Sequence, residues 1–455
     1  MTRRIIIVVL RFALRVFFSR VEVARPDRVP AHGACMFVLN HQNGLVDPAF
    51  MLCYAPRPVS FLAKSTLFKI PVIGAIVRAM DSIPVYRKQD EGADISKNRD
   101  TFEQAAALLK RGGSLAICPE GISHNEPRLQ PLKTGAARIA LGAASSDETL
   151  DLKIIPAGLY YTAKTSFRSG ALLYFGKPFR VAPVALDPDG EPSREAVRAL
   201  SDRIAGALRE VTLNADQHEA LTMVARADRI FASEDATASG ESSLERELRR
   251  RRRFVKGYAF HREHSSNRLE ALETRIRLYE EQLRQAGIGD PRNLSTATVS
   301  KYGRARLLLT RAAAFVLLSP LAIAGALLHY PAYRLANLLA VKLSKDYDDV
   351  VSTFKLIAAM LLFPLTWTFL IVLSSVYAGW GGAVAALVLA PLAGYTALRL
   401  SEEFDRFVAG ARAVLFFVTQ RRFFRHLLAE RKAIRKEILE LGYEAERAGA
   451  LEASG

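Results

Sequence analysis

The sequence predicts a mixed, mostly parallel α/β sheet with flanking helices, followed by a helical insertion and a C-terminal α-helical membrane region. Three observations predict it. Short apolar runs alternate with helical patterns between about residues 34 and 180, an Arg-rich amphipathic pattern follows, and residues 356–398 run for 43 positions without a charged side chain. The 455 residues are enough for two or three folding units. Half are apolar and 24% charged, which excludes a disordered or collagenous chain, and three cysteines exclude a disulfide scaffold and point to a reducing compartment.

Taking the elements in order, Thr2-Arg3-Arg4 precedes the apolar run 5–10 in the manner of a signal peptide. Arg11, Arg15 and Arg20 then interrupt any continuous span, and no small-residue cleavage site follows. Arg4, Arg11 and Arg15 at helical spacing, against Ile6, Val9, Leu10, Phe17 and Phe18, predict an amphipathic helix in the headgroup plane, so residues 1–30 read as a membrane anchor. The α/β domain is expected over 31–190, with strands at 35–40, 59–63, 83–86, 115–118, 153–161 and 171–175 and helices at 102–110 and 135–144.

Residues 191–300 read as a helical, Arg-rich insertion: helix over 192–232, a polar loop at 233–240, and one amphipathic helix over 244–286. Its Leu269, Leu272, Ile276, Tyr279 and Leu283 form a stripe able to pair with another helix. Membrane helices are expected within 301–400, at 312–333, 356–376 and 383–398, with basic amphipathic helices over 401–455. The sequence Ala378-Gly379-Trp380-Gly381-Gly382 suits a tight reversal between paired spans, and Pro320 and Pro331 predict a broken, re-entrant or interfacial segment at 312–333. Lys342, Lys345 and Lys355 before the pair and Arg399, Arg406 and Arg412 after it predict that both ends are cytoplasmic.

The formal charge of +17 is unevenly placed. Residues 1–30 carry a net +5 and residues 244–311 a net +9, which calls for an anionic partner surface. The uncharged stretch selects phospholipid over nucleic acid, because no aromatic residues interleave the basic run as single-strand binding needs. The run Arg249 to Arg253 itself is open between phosphate binding and a solvated helical face.

The chemistry concentrates in the first domain. Asn40-His41-Gln42-Asn43-Gly44-Leu45-Val46-Asp47-Pro48 follows directly on a strand, placing His41 at a strand's carboxyl end. A carboxylate on Nδ1, supplied by Asp47, would fix the imidazole tautomer and leave Nε2 free to remove a hydroxyl proton. Cys118-Pro119-Glu120-Gly121 ends a second strand with a carboxylate and a glycine turn. Ile83-Pro84-Val85-Tyr86-Arg87 ends a third with a guanidinium suited to a phosphate, and Lys133 precedes a helix N-terminus. Cys118 within an apolar strand reads as a small buried hydrophobe and His124 as a polar loop residue. Cys35 and Cys53 show no metal-ligand spacing, so no metal site is expected. Lys64 and Lys69 are open between packing and a lipid-facing role.

These blocks, together with Ile155-Pro156-Ala157-Gly158, stand in the order of the four blocks of the glycerolipid acyltransferase superfamily, which the region 34–180 resembles. The five residues between His41 and Asp47, where most of the superfamily has four, resemble the branch of fungal-type glycerol-3-phosphate and dihydroxyacetone-phosphate acyltransferases and their bacterial relatives. The segment Asp346-Tyr347-Asp348-Asp349-Val350-Val351-Ser352-Thr353-Phe354-Lys355 resembles that branch too.

The resemblance implies a membrane-bound enzyme of phospholipid synthesis, in the bacterial inner membrane or the endoplasmic reticulum, with its catalytic domain facing the cytoplasm. His41 is then the base and Asp47 its orienting acid. Arg87, Glu120, Gly121 and Lys133 contact the acceptor's phosphate, and Pro156 shapes the fourth block. The acyl donor is acyl-CoA or acyl carrier protein, and the acceptor glycerol-3-phosphate, its keto analogue or a lysophospholipid. No cofactor or metal is expected, since a thioester is already activated. A catalytically silent membrane scaffold is the alternative of another class.

Overall fold

The computed structural model describes residues 2–87, 90, 94–231, 243–289, 291, 305–344 and 347–450. The polar loop expected at 233–240, and Lys345 and Asp346, lie outside them. The chain forms two compact units. One comprises Met1–Asn214, Glu241–Leu248 and Leu343–Leu356; the other comprises Ala215–Gly240, Arg249–Lys342 and Ile357–Gly455.

The first unit is built on β1 (Arg20–Ala24), β2 (Cys35–Leu39), β3 (Ser60–Lys64), β4 (Ile83–Val85), β5 (Ser114–Ile117), β6 (Lys153–Tyr161), β7 (Gly170–Phe175) and β8 (Phe179–Arg180). The sheet order is β1-β7-β6-β2-β5-β3-β4, with β8 paired to β6. All five residues of β2 are buried, as a central strand covered on both faces requires. Strands β2 to β6 run parallel to their neighbours within this group, whereas β7 and β8 are antiparallel to β6. The carboxyl ends of β2, β3, β4, β5 and β6 therefore share one edge of the sheet.

Two sets of side chains fill the faces. Met36 and Val38 of β2, with Leu115 and Ile154, pack under α4 (Asn98–Lys110), α5 (Gly135–Ser145) and α6 (Arg194–Val211). An aromatic group lies on α1 (Thr2–Phe17) and α2 (Val46–Tyr54), where Phe50 and Tyr161 hold Phe18 at ring distances of 5.3 and 5.7 Å. The helix expected over 1–30 is shorter than that. It ends at Phe17, and Arg20–Ala24 is a strand in parallel register with β7.

In the second unit the stripe of five apolar residues is buried on the helix Ser266–Gln285, against Phe424, Leu427, Ile434, Ile438 and Leu441 of the helix Arg421–Arg447. The single helix expected over 244–286 is two, Ser243–His264 and Ser266–Gln285, because Ser265 leaves the helical region at φ −152°. Three arginines of the Arg-rich run pair inside the protein: Arg250 and Arg251 with Asp228 at 2.5 and 3.3 Å, and Arg253 with Glu446.

Two helices of the described residues, Ala313–Ser344 and Asp348–Thr419, are long and apolar enough to cross a membrane. Their apolar side chains are largely uncovered, Leu317 being 79% and Trp380 84% exposed, the reverse of a buried core helix. The break expected at Pro320 and Pro331 is absent: both prolines lie inside the continuous helix Ala305–Ser344. The stretch Asp348–Thr419 instead leaves helical geometry at Gly379, whose φ of 62° and ψ of −157° a residue with a side chain would resist. Trp367 donates its indole N–H to His329 at 2.8 Å, tying the two apolar helices together.

Candidate active site

Leu39 of β2 pairs with Ala157 of β6, so the chain leaving β2 runs beside the last residues of β6. Asn40 continues that ladder with its side chain. Its carboxamide donates to the Leu159 carbonyl at 3.0 Å and accepts from the Leu159 N–H at 2.7 Å. The next residue, His41, is thereby held at the strand tip.

Asp47 lies in the first turn of α2 and is fully buried. Its Oδ2 faces His41 Nδ1 at 3.0 Å and accepts the N–H groups of Gln42 at 2.8 Å and Asn43 at 2.7 Å. Its Oδ1 accepts the Tyr161 hydroxyl at 2.6 Å. Four donors therefore converge on one side chain. The same contact and burial push the Tyr161 phenol well above its ordinary range, so Tyr161 remains a donor. Among the described residues His41 Nε2 has no hydrogen-bond partner, while Nδ1 is committed to Asp47.

Glu120 is 2% exposed and turned inward. Its Oε1 accepts the backbone N–H of His41 at 2.8 Å, and its Oε2 accepts from Gln130 N–H at 2.8 Å and His124 Nε2 at 2.5 Å. Because His124 Nδ1 accepts the Glu126 N–H, its Nε2 carries the proton, which makes His124 a partner of Glu120 and corrects its reading as a simple loop residue. Glu120 is thus committed to these three donors. Both its oxygens are engaged inside the protein, and it braces the His41 backbone.

Gly121 follows in the left-handed region at φ 77°, with the Lys133 side chain packed 3.2 Å from where a Cβ would stand. Lys133 is exposed, two residues before α5, and like the Arg87 guanidinium its ammonium has no hydrogen-bond or ion-pair partner among the described residues. Arg87 is half-buried past the end of β4, and burial lowers its pKa. The half-buried Cys118 thiol has its pKa raised by desolvation and by the charges of Asp47 and Glu120, against the opposing pull of Arg87. Pro156 is buried inside β6 in register with Val38, five residues upstream of Tyr161, whose hydroxyl reaches Asp47.

The comparisons with known proteins agree with this frame. An Acyltransferase family model matches residues 20–160, and the model for the Glycerol-3-phosphate acyltransferase 2 C-terminal domain matches residues 229–446. The chain belongs to the glycerolipid acyltransferase superfamily. Within that superfamily it is similar to Glycerol-3-phosphate O-acyltransferase 1 of Saccharomyces cerevisiae, 30% identical over 281 residues, and to Glycerol-3-phosphate O-acyltransferase 2 of the same yeast, 28% identical over 282. Each alignment covers 59% of this chain but only 36% and 37% of the respective yeast proteins. An uncharacterized acyltransferase of Schizosaccharomyces pombe is 27% identical over 464 aligned residues, 81% of this chain and 68% of that protein.

Three further residues of this acyltransferase-superfamily site carry no motif of their own in the sequence. Asn40 extends β2, and Tyr161 supports Asp47. Lys164 donates to the carbonyls of Gln42 at 2.9 Å and His124 at 3.4 Å, bridging the two loops. Burial lowers the Lys164 ammonium pKa, against the opposing pull of Asp47, Asp349 and Asp348. The Asn43 carboxamide beside them is fully buried with neither Oδ1 nor Nδ2 paired among the described residues.

Proposed function

We propose that this protein is a membrane-bound O-acyltransferase that moves a fatty acyl group from an acyl-CoA or acyl carrier protein thioester to the sn-1 hydroxyl of glycerol-3-phosphate or dihydroxyacetone phosphate. One observation carries the reading: His41 is fixed through Nδ1 on a buried carboxylate while Nε2 stays unpartnered at the strand-end edge. Nε2 takes the proton of the acceptor hydroxyl as its oxygen attacks the thioester carbonyl, forming the new C–O bond and a tetrahedral oxyanion. Collapse breaks the C–S bond, and the imidazolium returns its proton to the thiolate. Asp47 holds the tautomer and opposes the imidazolium charge, and Tyr161 holds Asp47.

Arg87 and Lys133 are the cations left to grip the acceptor's phosphate, Arg87 by a bidentate contact and Lys133 as a point charge over the Gly121 turn. Pro156 stiffens β6 where it lies beside β2. Lys342, Lys355, Arg399 and Arg412 around the apolar stretch support a cytoplasmic orientation for both its ends.

The test is an acceptor panel. The full chain in native membranes receives labelled acyl-CoA with glycerol-3-phosphate, dihydroxyacetone phosphate or lysophosphatidate. The expected product is lysophosphatidate or its keto analogue. Phosphatidate from lysophosphatidate alone would move the activity to the second acylation, and silence across the panel would favour a scaffold.

A further inference from the structure

The segment Leu343–Leu356, which joins the two apolar helices, belongs to the first unit. Asp349, Ser352, Thr353 and Leu356 recur at three- and four-residue spacing along the opening turns of the helix Asp348–Thr419, and all four are buried. Ser352 is 0% and Thr353 6% exposed. What buries this face is the set of loops that hold His41.

Each contact is specific. Thr353 Oγ1 accepts the backbone N–H of Leu45 at 3.0 Å. Gly44 takes a φ of 40°, and a Cβ there would stand 2.7 Å from Thr353 Oγ1 and 3.1 Å from the Asp349 carbonyl, so only glycine lets the helix approach this closely. Ser123 donates to Asp349, and Asn125 donates to Asp348 Oδ2 at 3.2 Å. Ser352 donates to the Lys164 carbonyl at 2.5 Å, and the Lys355 ammonium to the Thr165 carbonyl at 3.0 Å. The loops after β2, β5 and β6 are therefore all fastened to the first two turns of one helix, more than 180 residues away in sequence.

This arrangement also accounts for the five-residue spacer between His41 and Asp47. Gln42 and Asn43 turn their N–H groups to Asp47, while Gly44 and Leu45 turn to Thr353. The spacer has one half for the carboxylate and one half for the helix.

We propose that residues 348–355 are a positioning strap for the catalytic loop, with Thr353 as the residue that fixes the Gly44–Leu45 turn and through it the placement of Asp47 against His41. The strap touches no substrate; it sets the geometry in which the base works. The proposal rests on the acyltransferase reading for its kinetic consequence but not for its structural one.

The test compares the full chain, wild type, with Thr353→Val and Thr353→Ser in detergent or lipid nanodiscs. Amide hydrogen exchange over residues 42–47 and steady-state kinetics with glycerol-3-phosphate are measured on the same samples. Valine keeps the shape and removes the acceptor, leaving the half-buried Leu45 N–H without its partner. The expected result is exchange about 10-fold faster over 42–47 and a kcat reduced about 5- to 50-fold with KM within about twofold, both restored to within about threefold by serine. Unchanged exchange overturns the strap, as does faster exchange with unaltered kcat, and a change in KM alone would make the segment part of the acceptor site instead.

If wild type proves silent on every acceptor, the functional reading fails while the exchange comparison still decides whether the strap holds the loop. Should Thr353→Val fail to fold, Ser352→Ala, which frees only the Lys164 carbonyl, gives the same two readouts over residues 162–166 and 42–47.

Discussion

Asp47→Asn separates charge from shape at the centre of the site. With its carbonyl oxygen in the place of Oδ2, the new amide still accepts from His41 Nδ1, Gln42 N–H and Asn43 N–H, and its NH₂ group donates to Tyr161, whose hydroxyl can accept as well as donate. The loop keeps its hydrogen bonds. What disappears is the negative charge facing the imidazolium that forms when His41 takes a proton. Asp47 is 0% exposed, so solvent does little to screen it. With Nδ1 3.0 Å from Oδ2, charge centres about 4 Å apart and an effective dielectric constant of about 20 give ~4 kcal/mol, or about 10³-fold in kcat. KM for glycerol-3-phosphate should stay within about twofold, because Asp47 opens on no solvent. The assay is CoA release at saturating donor and varied acceptor, beside thermal unfolding that shows the variant folded. A kcat within tenfold of wild type would refute the reasoning. Asp47→Ala is a poorer probe, since it leaves two buried N–H groups and the Tyr161 hydroxyl without an acceptor.

Three other outcomes follow from the same geometry. Tyr161→Phe leaves Asp47 Oδ1 buried without its donor and should cost about 1–3 kcal/mol of stability in urea titrations, with a several-fold lower kcat; no change in either would remove Tyr161 from the support of Asp47. Arg87→Lys keeps the charge and loses the planar fork, so KM for the phosphorylated acceptor should rise about 10-fold with kcat little altered, and Arg87→Ala should raise it further; an unaltered KM in both moves the phosphate site elsewhere. The third outcome concerns pH. Burial pushes the Cys53 thiol from 9.0 up to about 12 and the Tyr161 phenol well above 10.0. Both groups bind their protons more tightly folded than unfolded, so their contribution is complete below about pH 9 and is lost as pH rises through the folded values. The urea midpoint should hold from pH 7 to about 8.5 and fall above about 9.5; a flat profile to about pH 11 would contradict these shifts.

The strands nearest the chemistry were the most legible elements. β2 and β6 are buried on both faces, so their uninterrupted apolar runs stand out, and the polar residues that close them mark the carboxyl edge. β1 was hidden because Arg-Val-Glu-Val-Ala is short, half-exposed and defined only by pairing with β7 some 150 residues away. The partners of Glu120 were not legible, because sequence shows a carboxylate at a strand tip but not which way its oxygens turn. Tyr161 becomes legible only once Leu39 is known to pair with Ala157, which brings the end of β6 beside Asp47. The Arg249 to Arg253 run stays open between phosphate binding and a solvated face in the sequence, because the partners of its members, Asp228 and Glu446, sit on other helices. Residues 348–355 carried a family likeness but no local sign of where they dock, since their partners lie in three distant loops.

His41 is the side chain whose replacement tests the proposed chemistry most directly. In membranes with labelled acyl-CoA and saturating glycerol-3-phosphate, His41→Gln should lower the initial rate of lysophosphatidate formation by at least about 10³-fold while membrane association and the unfolding midpoint stay unchanged. A folded, membrane-associated His41→Gln protein that acylates glycerol-3-phosphate at a rate comparable to wild type would contradict it.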